Sequence, residues 1–178
     1  APLLVETGDL PAYRQQRART LNAPSQPDNP DLIGQVCKLA LLLPPEGSEL
    51  AAAGKLAGDV ANPGTAKATL AARQFTKGLA EYRQGRFANA IEWLDKARTS
   101  AARHDLPGWN HERERNRAAA AQFVLAMAHH QLRQTSEAQT ALTKGTELVQ
   151  NRFPQLQSGD LGREWPDWLI AHILQREA

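Results

Sequence analysis

The sequence predicts an all-α protein, an α-solenoid of antiparallel helical hairpins with about eight helices. Three observations predict it. Alanine and leucine dominate the 178 residues while aromatic residues make up 6%, and abundant helix formers with few β-branched runs favour helices over strands. Pro and Gly divide the chain into helix-length segments, none of which alternates apolar and polar residues with the period of a strand. Two successive segments also repeat small and large residues at matching offsets, which is the mark of stacked helical units.

Taken in order, the first helix runs from about Asp9 to Leu21, with Asp9 as N-cap and Pro11 in the first turn. Asn22–Pro30 holds three prolines and reads as a loop. A second helix covers about Asp31–Leu43 and stops at Pro44-Pro45. The third spans Ser48–Ala61, with Ser48 as N-cap and Asn62-Pro63-Gly64 as its stop. From Leu70 to Gln84, Ala71, Phe75, Gly78 and Tyr82 recur at helical spacing; Gly85 breaks the pattern, and Ala90, Ile91, Leu94, Ala97 and Ala101 resume it from Phe87 onward. Two amphipathic helices joined by a tight Gly turn make an antiparallel hairpin. A charged link, Arg103–Asn110, leads to a sixth helix over about Glu112–Leu132 carrying Phe123, Val124 and Met127. The seventh begins near Thr135 and should end at Phe153-Pro154, because proline removes an internal hydrogen bond. After Ser158–Gly162 the last helix starts near Trp165-Pro166 and continues to the end.

Three units follow: residues 1–64 as atypical N-terminal helical hairpins, 65–162 as two regular hairpins (about 70–102 and 112–150) with the charged link, and 163–178 as a C-terminal capping helix. The cap has two competitors. Trp165, Trp168, Leu169, Ile173 and Leu174 give the last helix an apolar face, which could instead fill a groove of the array or pair with a second chain.

Within the two regular hairpins, Gly78, Ala80, Tyr82, Gly85, Phe87, Ala90, Ile91, Leu94 and Ala97 align with Ala126, Ala128, His130, Arg133, Thr135, Ala138, Gln139, Leu142 and Gly145. Small residues fall where the two helices of a hairpin approach; large ones fall where neighbouring hairpins interlock. Gly78, Gly85, Phe87, Ala90 and Ala97, within the stretch Lys77–Ala97, resemble the tetratricopeptide repeat. The second copy, with Ala138, departs at Arg133 and Thr135, which stand in place of the turn glycine and the turn aromatic. Its offset of 48 residues exceeds the usual period of roughly 34. Together with the closing Trp165–Ala178, the pattern from Asp9 onward is similar to the C-terminal helical-repeat region of large bacterial serine/threonine protein kinases. That resemblance implies a scaffolding or regulatory segment of a longer signalling protein, and the Ala-Pro start without an initiator methionine agrees with an excised piece. The segment itself carries no Gly-rich phosphate loop, no His-Arg-Asp and no Asp-Phe-Gly.

The resemblance also implies a concave surface lined by the first helix of each hairpin, here Phe75, Leu79 and Tyr82 from one repeat and Phe123, Met127 and His130 from the next. The lysines and asparagines that clamp a terminal carboxylate in such arrays are absent from these positions. An apolar groove suited to an amphipathic helix is therefore expected.

Other chemistry finds little support. His111-Glu112-Arg113-Glu114-Arg115 opens like a zinc-protease helix, but Arg115 stands where the second histidine belongs. His129 and His130 are neighbours about 100° apart on a helix, so they read as solvated or capping groups. Cys37 lies in an apolar run and reads as a buried thiol. No catalytic residue, metal site or cofactor is expected. The net charge of +2 is too small to predict a nucleic-acid partner; Arg14, Arg17 and Arg19 make a poor phosphate footprint, and Arg113–Arg117 interleave with Glu112 and Glu114 as a solvated face. Gly54 and Gly58 signal tight helix contact. The expected partner is a protein or peptide, without nucleic acid or membrane, in the cytoplasm. Homodimerisation through the repeats is the alternative.

Overall fold

A computed structural model describes residues 1–23, 29–61, 69–101, 111–150 and 164–178. Among them the chain forms nine α-helices and no strand: α1 (Pro2–Glu6), α2 (Leu10–Leu21), α3 (Pro30–Ala40), α4 (Gly47–Val60), α5 (Leu70–Arg83), α6 (Phe87–Ala101), α7 (His111–Gln131), α8 (Thr135–Gln150) and α9 (Trp165–Glu177). The all-α class stands. The ninth helix is α1, a single short turn-and-a-half that the sequence pattern did not separate from the Asp9 cap. Asp9 caps α2 as expected, its carboxylate accepting from Ala12 N–H at 3.1 Å. Helix α4 begins one residue earlier than Ser48, with Glu46 as N-cap and no side-chain cap bond. Residues 24–28 of the predicted loop, the Asn62-Pro63-Gly64 stop, the Arg103–Asn110 link, Phe153-Pro154 and Ser158–Gly162 lie outside the described residues.

Helices pair in sequence. The pairs α3/α4, α5/α6 and α7/α8 are each in contact; α5 also packs on α3 and α4, and α7 on α5 and α6. The pairs draw close where side chains are missing. A methyl placed on Gly78 of α5 would come within 2.7 Å of Leu94 on α6, and one on Gly145 of α8 within 2.7 Å of the Phe123 ring on α7. Both sites need glycine because real Cβ atoms do not approach so near. Gly54 acts differently from a backbone-to-backbone contact: the side chain of Gln84, the C-cap of α5, lies over it, and a methyl there would meet Gln84 Nε2 at 1.9 Å.

The turns of the last two pairs share one geometry. Gly85 sits at φ +73° and Arg133 at φ +60°. In the first, Gly85 N–H donates to Tyr82 O at 3.0 Å and Arg86 N–H to Glu81 O at 2.9 Å; in the second, Arg133 N–H donates to His130 O and Gln134 N–H to His129 O, both at 2.9 Å. The left-handed residue closes the helix by returning N–H groups to orphan carbonyls. Tyr82 and Phe87 pack across the first turn with ring centroids 5.7 Å apart.

One apolar core joins the elements, drawing Tyr13, Leu41, Leu42, Phe75, Leu79, Leu94, Phe123, Val124, Ile170 and Leu174 into a single cluster. Burying each such side chain stabilises by about 1.5–3 kcal/mol. Alanines at 119, 120, 121, 126 and 128 keep α7 slim enough to be buried around most of its circumference. Helix α2 is locked to the turn after α3 by Tyr13, whose hydroxyl donates to Leu39 O at 3.0 Å and accepts from Leu43 N–H at 3.3 Å.

Helix α9 has α7 and α1 as its main neighbours. It buries Trp168, Leu169, Ile170, Ala171, Ile173 and Leu174. No helix among the described residues is long and apolar enough to cross a membrane.

Candidate functional site

The predicted groove is not an open surface. Phe75 (1% exposed), Leu79 (0%), Phe123 (0%) and Met127 (6%) are core residues; Tyr82 is half-buried and His130 exposed. Two causes can be read from the packing. Phe123 points at Gly145, into its own hairpin. On α5, Phe75, Leu79 and Arg83 share one stripe at four-residue spacing, and Arg83 reaches Glu177 of α9. Phe75 and Leu79 are thus drawn into the common core, and only the Arg83 end of the stripe meets α9. Among the repeat-defining residues, Gly78, Ala90 and Ala97 are buried, Gly85 is the left-handed turn residue, and Phe87 and Ala138 are half-buried.

What α9 meets is cationic at both ends. Lys38 of α3 pairs with Asp167 at 2.5 Å. Arg113 of α7 donates to Glu164 at 2.9 and 3.2 Å and lies 3.8 Å from Asp167. At the far end, Arg83 of α5 donates to Glu177 Oε2 at 2.7 Å. Its Nη1 also donates to Glu177 Oε1, while Nε donates to Leu41 O at 3.0 Å and Nη2 to Leu42 O at 2.8 Å, so one guanidinium joins α5, the turn after α3, and α9. Helix α1 closes over the same helix through Glu6, which accepts from Arg176 at 2.7 Å and lies 3.6 Å from His172 Nδ1. The His172 ring stacks on Trp168 with centroids 5.4 Å apart and planes 7° from parallel.

Arg117 lies beside this contact, paired with Glu114. Burial pulls its guanidinium down to about 10; Asp167 opposes that and Arg113 adds to it. It is therefore still charged at neutral pH. The i,i+3 pair of Glu114 with Arg117 is present, but both side chains are largely buried and not part of the expected solvated face, and Arg113 turns to Glu164, fifty-one residues away in sequence. None of Lys38, Arg83 and Arg113 stood out as site residues in the sequence. Their partners are far along the chain, and no local spacing marks such a pair.

A second charged cluster lies between α4 and α5. Glu81 is buried and meets Lys77 at 2.5 Å as well as Arg86. Burial alone would raise its carboxyl, but the hydrogen bonds from Arg86 and Lys77, with their charges, win and hold it at about 2. This cluster braces the helix end before Gly85.

The other candidates fall into structural places. Cys37 is fully buried, and burial, aided by the charge of Asp59, pushes its thiol up to about 12; such a thiol is a poor nucleophile at neutral pH. Arg17 is buried against Glu49 at 2.8 Å and sits over the Tyr13 ring at 5.4 Å, while Arg14 and Arg19 are exposed. His129 Nδ1 is 2.7 Å from Gln134 Oε1 across the second turn. Among the described residues, no group of three or more His, Cys, Asp or Glu side chains is placed to hold a metal ion.

No protein-family model matches this chain, and neither a curated protein nor a solved structure matches it.

Proposed function

We propose that this chain is a non-catalytic protein–protein interaction scaffold, an α-solenoid of tetratricopeptide-like hairpins that serves as a segment of a larger signalling protein. The observation carrying this reading is the order of packing. Helix α5 rests on both α3 and α4, and α7 on both α5 and α6, which is how a quasi-one-dimensional array buries faces that no single hairpin can bury. The shared turn geometry at Gly85 and Arg133 supports the repeat, since two unrelated residues adopt one backbone state at equivalent positions. An array of this kind recognises partners by shape and contact without chemistry, and on the first-helix side Tyr82 and His130 are the predicted groove positions that keep accessible surface.

Photo-crosslinking tests the reading. A benzophenone side chain is placed at Tyr82, half-buried on the first-helix side, or at Trp93 on a second helix, and each protein is irradiated in native lysate. Discrete adducts from position 82 and none from position 93 are expected. Adducts from position 93 alone, or from neither, would sink the proposal. A mass that rises with concentration in light scattering, without adducts to other proteins, would assign the repeats to self-association.

A further inference from the structure

We propose that α1 is a pH-sensitive strap: it closes over α9 more firmly when His172 carries a proton, and it lifts on Gly8. The device belongs to the fold itself and does not depend on what the scaffold binds.

Helix α1 is small enough to move alone. Its main neighbours are α9 and α2. Pro2 is buried and Ala1, Leu4 and Val5 are partly buried against the core, while Leu3 is 46% exposed. A segment that buries so little apolar surface opens locally, ahead of global unfolding. Gly8 follows it at φ +78°, and a methyl there would meet nothing within 4 Å. The joint to α2 is therefore a glycine in open space, able to change its backbone angles without a clash. Glu6 is the polar latch. Its carboxylate accepts from Arg176 at 2.7 and 3.3 Å and lies 3.6 Å from His172 Nδ1. That ring nitrogen is buried and has no hydrogen-bond partner among the described residues. Trp168, stacked on the ring, fixes the plane in which it meets Glu6. Histidine is the side chain whose ordinary charge change falls between about pH 5 and 8. The charged ring carries N–H on both nitrogens, so protonation makes Nδ1 a donor beside a carboxylate.

The charges around His172 decide the sign. On its own helix, Arg176 repels an imidazolium and shares Glu6 with it. On α1, Glu6 attracts it, and the Ala1 amino group, pulled below 8.0 by burial, is a second titrating group. On α7, Arg113 and Arg117 turn to Glu164, Asp167 and Glu114 near the start of α9. Lys38 of α3 is taken by Asp167, and Arg83 of α5 by Glu177. A carboxylate offers about four lone-pair sites, so Arg176 does not exhaust Glu6. An opposite charge this near favours the charged ring, and the charged ring in turn favours the closed strap. That stabilisation is present at acidic pH, where the ring is protonated, and is lost as pH rises and the proton leaves.

Nuclear magnetic resonance on the full chain tests the strap. The N–H groups of Val5, Thr7 and Gly8 donate within α1, so their exchange, corrected for the free-peptide rate at each pH, reads how often α1 opens. Their protection should be about threefold greater near pH 5.5 than near pH 8, the scale of a part-exposed ion pair. His172→Gln should abolish that difference, which separates the ring from the Ala1 amino group and the other histidines. The His172 ring resonance should titrate about half a pH unit lower in Glu6→Gln than in the wild type, the same threefold factor. Circular dichroism checks that both variants keep their helices. Equal protection at the two pH values, or a difference that survives in His172→Gln, would overturn the switch. So would a ring midpoint indifferent to Glu6→Gln. Amides of α1 that exchange only as slowly as those of α2 would make α1 a fixed part of the core. None of these results touches the position-82 adducts, so the scaffold reading stands or falls on its own experiment.

Discussion

At the scale of single residues, backbone geometry and buried charge make the sharpest statements. Arg133 occupies φ +60°, where a side chain costs roughly 1–2 kcal/mol. Arg133→Gly removes that strain but loosens the unfolded chain, so a net gain of about 0.5–1 kcal/mol is expected in urea unfolding. Gly85→Ala should lose about 1 kcal/mol at the matching turn. Glycine is thus favoured at both turns, in keeping with their shared backbone geometry and hydrogen bonds. Glu81 makes a pH statement. Its carboxyl drops from 4.5 in the unfolded chain to about 2 in the fold, so its stabilisation is complete above about 4.5 and is lost as pH falls toward about 2. Glu81→Gln should flatten the stability curve across that window, as followed by thermal melts from pH 6 to pH 2; an unchanged acid limb would refute the assignment.

At the scale of elements, the helices are held by small residues and by bridging cations. Gly145→Ala sets a methyl against the Phe123 ring and should cost about 1–3 kcal/mol, as overpacking does. Phe123→Leu in the same chain should recover part of that loss, which a double-mutant cycle measures. Arg83 ties α5 to two carbonyls beyond α3 and to α9. Arg83→Ala leaves the carbonyls of Leu41 and Leu42 without this donor, and a loss of about 2–3 kcal/mol is expected. Far-UV circular dichroism with urea titration reads both.

For the whole molecule, α9 sets how strongly the helix pairs are coupled. A plain stack of hairpins has only neighbour contacts and can melt unit by unit. Here α9 connects α1, α3, α5 and α7, so the chain should unfold in one transition. Tryptophan fluorescence and circular dichroism should give coincident urea curves; separated curves would mean that the hairpins act alone.

Much of this was legible in the sequence, for a reason visible at particular residues. Helices are local, so the Asp9 cap, the Gly85 turn and the small residues at Gly78 and Ala97 announce themselves within a few positions. The equivalence of Arg133 with Gly85 was also readable, because their offset carries the surrounding pattern with it. The six groove residues were less legible. Their periodicity marks Phe75, Leu79 and Met127 as one-sided, but an apolar stripe reads the same whether solvent, a partner or another part of the chain lies against it. Helix α1 went unseen because five residues are too few to show a period.

By itself, the sequence determined the helical class, the Asp9 cap and the turns that join α5 to α6 and α7 to α8, all of which follow from steric preferences acting over one or two turns. Only the tertiary structure decided which surface α9 covers, and that Lys38, Arg83 and Arg113 meet its acids. Those contacts join residues 51 to 129 positions apart, and attraction between charges at such separations depends on how the chain folds back, which no local pattern encodes.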